Sequence, residues 1–298
     1  MLTRMWLAVG LPPTSNAREA ALRVKSGSRT RSKPVGARWW CGPRAAARLA
    51  AALGSALLAG CRAAPARPPA EITVSAAADL ADVMPDLAAT FQRETGVRVV
   101  VNYGASGQLA QQIAEGAPVD VFMAADLHYM EELGSAGLLL RGTRAIYATG
   151  RLVVWTPPDR PALATLEELA QPRVRRVAIA NPKLAPYGHA AEEALRMAGL
   201  WNAVKAKAVF GENVRQALLY ARSGSADAAF VSGPLVAGKP GHVLVVPEEL
   251  YPRIYQTLGV VRDTRNEPAA RTFAAFITGR EGQAILARHG FAPPPDMS

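Results

Sequence analysis

From residue 72 onward, short apolar runs alternate with stretches whose apolar residues recur every three or four positions, and the connections are short. Few architectures accept that order. A strand, a helix and a parallel strand form one crossover, and repeated crossovers build a mostly parallel sheet with helices on both faces. Residues 72–76, 97–103 and 119–124 read as strands. Leu80, Val83, Met84, Leu87, Ala88 and Phe91 recur at helical spacing until Gly96, and further helices are expected over 109–114 and 130–136. A second set begins with a strand at 151–155. It continues with strands at 176–180, 207–210, 228–231 and 242–246, and helices at 189–199 and 214–222. A long strand at 254–261 and helices near 269–277 and 281–289 close the chain. The pattern predicts an α/β protein of two lobes, the second inserted into the first. Lobe 1 takes 71–149 and 248–298, lobe 2 takes 150–247, and the crossings fall near Gly150 and Pro247. A cleft between such lobes is a preferred place for a small ligand.

The net charge of +10 invites a nucleic-acid reading, but its distribution argues against one. Of the 34 basic and 24 acidic residues, 10 basic and one acidic residue lie in 1–61, so 62–298 holds 24 against 23. The part that folds carries no basic footprint for phosphate backbones. Both cysteines, Cys41 and Cys61, also lie in the N-terminal stretch. The body therefore has no disulfide, cysteine-ligated metal or thiol nucleophile, and no protein-ligated metal is expected.

Arg44 and Arg48 precede an apolar run, residues 49–60 (LAAALGSALLAG). That length suits a signal-peptide core and is short for a spanning helix. The run ends Leu58-Ala59-Gly60-Cys61, which resembles the bacterial lipobox, where lipidation at the cysteine accompanies cleavage before it. Cys61 is the expected lipid anchor. Small-x-small cleavage after Ala64-Pro65-Ala66 is the alternative. Residues 1–34 lack hydrophobic periodicity and point to a translation start near Val35. Residues 62–70 (RAAPARPPA) read as a Pro-rich tether.

No G-x-S-x-G, H-E-x-x-H or phosphate-loop pattern is present. The four His residues (His128, His189, His242, His289) are scattered, and Asp120 and Asp126 read as groups that cap and solvate strand ends. What recurs is a strand, a small polar loop and a helix start. It occurs at Ala76-Ala77-Ala78-Asp79, Tyr103-Gly104-Ala105-Ser106-Gly107, Asn181 to Gly188, and Gly211-Glu212-Asn213-Val214. A helix start carries unpaired N–H groups and partial positive charge, so several aimed at one cleft form an anion site without Arg or Lys.

The stretches ITVSAAADL, YGASGQLAQQI, EGAPVDVFMAAD, VAIANPKLAPYGHAAEEAL, GENVRQAL, GSADAAFV and EGQAILARHGF together resemble the periplasmic molybdate-binding proteins of molybdate ABC transporters, over nearly all of 71–293. The resemblance implies a two-lobed type II periplasmic binding protein fold and a receptor with no catalysis and no cofactor. Its ligand would be a tetrahedral oxyanion, molybdate or tungstate, and its partner the transporter's permease. The implied protein is a monomer on the periplasmic or cell-surface side of the membrane. Carried over by matching motifs, the donors are the Ala78–Asp79 turn, Ser106 through its hydroxyl and N–H, and Tyr187 and Val214 through N–H groups. Asn213 and Ser232 are further candidates. A receptor for sulfate or another oxyanion is the alternative within the class. An enzyme or a transcription regulator on the same fold is the alternative outside it, but the body has no cysteine to attach a cofactor and 1–60 has no helix-turn-helix pattern.

Two positions depart from the family. Ser232 stands where some members carry a Tyr, and Asp79 where many have Ser or Asn. A carboxylate should not face a dianion. Asp79 is expected to turn away and cap the helix that follows, leaving only N–H groups for the ligand. The other arrangements are a protonated Asp79 that donates, and a ligand that is not an anion.

Overall fold

The computed structural model describes residues 70–295. Cys61, the apolar run before it and nearly all of the tether lie outside the described residues. The first sheet contains β1 (Glu71–Ala77), β2 (Arg98–Gly104), β3 (Val121–Ala124), β4 (Ala145–Gly150) and β10 (Ile254–Val260), in the order β2-β1-β3-β10-β4. The second contains β5 (Leu152–Thr156), β6 (Val177–Ala180), β7 (Ala208–Gly211), β8 (Ala228–Ser232) and β9 (His242–Val245), in the order β7-β6-β8-β5-β9. In each sheet one strand, β10 or β5, runs against the other four. These two reversed strands are the ones by which the chain arrives in a sheet after leaving the other. The result is the α/β, two-lobed architecture that the alternation predicts. The strand β4 was not expected, since AIYATG carries weak strand preferences; pairing with β10 holds it in place.

Helices cover both faces. In the first lobe α1 (Met84–Thr95), α7 (Glu267–Thr278) and α8 (Arg280–Arg288) pack on one side, and α2 (Ser106–Ala114) and α3 (His128–Ser135) on the other. The sequence period decides which residue faces which layer. Val121 and Met123 of β3 join the first layer, while Phe122 and Ala124 join the second. In the second lobe α4 (Pro186–Met197), α5 (Trp201–Lys205) and α6 (Val214–Arg222) flank a continuous core centred on β5, β6 and β8. The expected first helix is divided. A short 3-10 turn at Ala78–Leu80 comes first, and the α-helix starts at Met84, with Pro85 in its first turn.

The Asp120 carboxylate ties β1 to the segment after β10: it accepts from Thr73 N at 2.7 Å and from the Thr264 hydroxyl. No helix among the described residues is long and apolar enough to cross a membrane.

Candidate functional site

Four strand-to-helix junctions and the residue beyond β3 surround one small cavity between the lobes. The first lobe contributes Ala77, Ala78 and Asp79 after β1, Gly104, Ala105 and Ser106 after β2, and Ala125 after β3. The second contributes Ala185, Pro186 and Tyr187 at the start of α4, and Asn213 and Val214 at the start of α6. The cavity volume is about 10 Å³, the room of one water. No Lys, Arg or His lines it.

Three of these junctions start an α-helix, and each of the three leaves an N–H beside the cavity without an acceptor among the described residues. Pro186 opens α4 and has no N–H, and the N–H groups of Gly188 and His189 both donate to Ala185 O. Tyr187 N–H is thus the donor of that turn that has no acceptor among the described residues. In α6 the Asn213 carboxamide oxygen accepts from Arg215 N and Gln216 N, both at 3.1 Å, which leaves Val214 N–H without an acceptor among the described residues. In α2, Gly107 N–H donates across the cleft to Leu184 O at 2.9 Å, and Ser106 N–H has no acceptor among the described residues. The Ser106 hydroxyl accepts from Ala125 N at 3.0 Å, so its own hydrogen is the part left to donate. Asn213, a further ligand candidate in the sequence, therefore uses its side-chain oxygen to cap α6.

Asp79 corrects another expectation. The residue ahead of the 3-10 turn is Ala77, and Asp79 caps nothing. Its side chain is 1% exposed, and its Oδ2 accepts from Gln256 Nε2 at 2.7 Å. Gln256 Nε2 also lies 3.2 Å from the Tyr187 hydroxyl, and Gln256 Oε1 accepts from the Tyr147 hydroxyl at 3.2 Å. Asp79 Oδ1 is buried without a hydrogen-bond partner. Burial pushes the Asp79 pKa up to about 6, against the opposing effects of Tyr187, Gln256 and its own N–H. Tyr187 and Tyr147 are driven well above the usual phenol range, first by burial and then by the Asp79 charge.

Tyr187 thus belongs to both lobes. Its ring packs in the core of the second, and its hydroxyl reaches Gln256 of the first, beneath the crossing at Gly150. A Cβ on Gly150 would lie 2.2 Å from that hydroxyl, so the crossing needs a glycine there. Gly188 lets α4 approach the end of β6: a Cβ there would meet Ala180 O at 2.2 Å. Ser232 does not line the cavity. It is fully buried beside the Tyr187 hydroxyl, and its Oγ makes no formed hydrogen bond. Sequence reasoning missed Gln256 and Tyr147. A Gln inside the buried strand IYQTLGV was the available signal.

Across the wall formed by Ala125, Ala185 and Pro186 lies a wider hollow of about 410 Å³, reaching Asp126, His128, Tyr129, Lys183, His189 and Arg253. Asp126 accepts from Tyr129 N at 3.1 Å, and burial raises its pKa to about 6.

Two α/β lobes joined by two crossings, with neutral donors from both around one cavity, define a solute-binding protein. The family described as bacterial extracellular solute-binding protein matches residues 72–292. The molybdate-binding protein ModA of Azotobacter vinelandii is 34% identical over 251 residues, which is 82% of this chain and 96% of that protein. A solved structure of the periplasmic molybdate-binding protein from that organism superposes with a TM-score of 0.71 at 33% identity, covering 75% of this chain and all of the other. A Bacillus subtilis relative described as the putative ABC transporter substrate-binding lipoprotein YvgL is 28% identical over 224 residues, 74% of this chain and 85% of that protein. The molybdate-binding protein ModA of Rhodobacter capsulatus is 32% identical over 222 residues, 74% of this chain and 88% of that protein. The chain belongs to the bacterial extracellular solute-binding proteins and, within them, to the ModA family.

Proposed function

We propose that this protein is the extracytoplasmic receptor of an ABC importer, capturing molybdate or tungstate and delivering it to the permease. One observation carries the site: N–H groups of Ser106, Tyr187 and Val214, unpaired among the described residues, line with the Ser106 hydroxyl a single cavity that has no Lys, Arg or His in its wall. Such a donor set suits an anion that accepts many hydrogen bonds and remains fully ionised. A hydrogen bond to a charged acceptor contributes roughly 1.5–3 kcal/mol net, so about five to eight suffice for sub-micromolar binding after ordering costs. Ala78 and Asp79 complete the wall, Asn213 holds α6 in place, and Ser232 supports Tyr187 from behind. The chemistry is capture and release, without catalysis or cofactor.

The organisation proposed with this role is a leader over 1–61, a tether over 62–70, a first lobe of 71–149 and 248–298, and a second of 150–247. The monomer would be held at the membrane by a lipid on Cys61. The lipobox-like Leu58-Ala59-Gly60-Cys61 supports that anchor, and fatty-acid labelling lost in Cys61→Ser would establish it. The function is tested by calorimetry with molybdate, tungstate, sulfate and phosphate. Tight binding of molybdate and tungstate is expected; tight sulfate binding with no molybdate binding would overturn the assignment.

A further inference from the structure

We propose that this site takes up its oxyanion together with one proton, which lies between Asp79 Oδ1 and an oxygen of the anion. The inference rests on the oxyanion reading of the same cavity and concerns the one residue there that an anion should avoid.

Three features of the geometry carry it. Asp79 lines the cavity, is 1% exposed, and has one oxygen, Oδ1, with no partner. Its other oxygen is fixed, because Gln256 Nε2 donates to it at 2.7 Å. Gln256 cannot reverse its amide without loss: the Tyr147 hydroxyl donates to Oε1, so Nε2 is the end that faces Asp79. The carboxyl is held beside the anion's place and cannot swing away as a helix cap would.

Nothing around it neutralises a negative charge. The titratable groups that face Asp79 are Tyr187 from α4 and Tyr147 from β4, both neutral phenols held above their ordinary range. Facing or adjoining it from β10, α2, α6 and β8 are Gln256, Ser106, Asn213 and Ser232, all uncharged. The nearest acid in sequence, Asp82, is partly exposed and paired with Lys239. A dianion beside an ionised Asp79 would therefore meet repulsion with no cation to offset it. Protonation removes the repulsion and supplies a donor at the oxygen that lacks a partner. Burial already holds this group near pH 6, and an adjacent anion raises it further. The balance is simple: the carboxylate takes a proton from water or buffer, the anion keeps all its bonds and both its charges, and one hydrogen bond forms.

The test is calorimetry of the intact protein with sodium molybdate from about pH 6 to about pH 8.5, in buffers of different ionisation heat, beside Asp79→Asn. Wild type should take up close to one proton per anion and lose affinity by up to about tenfold per pH unit above about pH 7. Asp79→Asn should take up none, bind with little pH dependence, and exceed wild type at the alkaline end. Wild-type binding that is flat with pH and takes up no proton overturns the proposal and leaves the oxyanion receptor standing. Proton uptake that persists in Asp79→Asn also overturns it. A folded wild-type protein that binds neither molybdate, tungstate nor sulfate at any pH overturns both.

Discussion

Ser106 shows how one side chain can serve the fold and the ligand at once. Its oxygen accepts from Ala125 N, and its hydrogen is left for the cavity. Ser106→Ala should therefore weaken molybdate binding by about ten- to a hundredfold, the loss of one hydrogen bond to a charged acceptor. It should also lower Tm by a few degrees, because the Ala125 N–H loses its acceptor. Calorimetry and thermal melts separate the two effects, and a lowered Tm with unchanged affinity would reduce Ser106 to a structural role. Asp79 makes a second, ligand-free prediction. Its folded pKa of about 6 lies above the ordinary 3.8, so between those values the folded state holds a proton that the unfolded chain has released. Stability then falls as pH rises through that window and stays low above it, by at most roughly 3 kcal/mol. Asp79→Asn should match wild type near pH 4 and melt higher at pH 7. Equal melting curves at both would show that burial does not strain the carboxylate. The sequence made Asp79 conspicuous, since a carboxylate stood where a neutral donor was expected. It could not show what Asp79 touches, because Gln256 is 177 positions away and a cap is the nearest local explanation.

At the scale of elements, the site consists of helix starts whose first turns are arranged so that one N–H stays free. Asn213 does this for α6 by holding the N–H groups of Arg215 and Gln216. Asn213→Ala should cost about 1 kcal/mol of stability, as loss of a cap does, seen as a lower midpoint in urea unfolding. Its effect on affinity should be smaller than that of Ser106→Ala, since the side-chain oxygen is engaged in ordering the turn. A larger loss of affinity than of stability would return Asn213 to the ligand set. The junctions that line the cavity were readable because each combines local signals: an apolar strand, a small polar loop and a helical period. The strand β4 was not, because Ala145–Gly150 has no such signal and depends on a partner more than a hundred residues later. The same holds for α4, which begins at Pro186, three residues before its apolar period suggests, and so takes Tyr187 into its first turn.

At the scale of the whole molecule, the cavity between the lobes has the room of about one water, so in the proposed receptor an oxyanion reaches these donors only when the lobes part. Besides the link of Gln256 to the Tyr187 hydroxyl, the rim of the cleft is bridged by Gly107 N–H to Leu184 O at 2.9 Å, the Tyr129 hydroxyl to Lys183 O at 3.2 Å, and the ion pair of Lys239 with Asp82. The ion pair is about a third exposed on both sides, so it contributes at most about 1 kcal/mol. Lys239→Ala should weaken binding no more than about fivefold, with ligand-induced contraction retained in solution scattering. The crossing at Gly150 should matter far more. There a Cβ would overlap the Tyr187 hydroxyl, and both neighbours that could yield, Ile254 and Gln256, are themselves buried. Gly150→Ala must displace Tyr187, which moves the free N–H of α4 and breaks the link to Gln256. Molybdate affinity should fall by at least about tenfold, the worth of one charged hydrogen bond, and the contraction on adding molybdate should shrink or vanish. Contraction and affinity like those of wild type in Gly150→Ala would mean that the lobes close without Tyr187 under the crossing, and closure would then depend on the rim contacts alone.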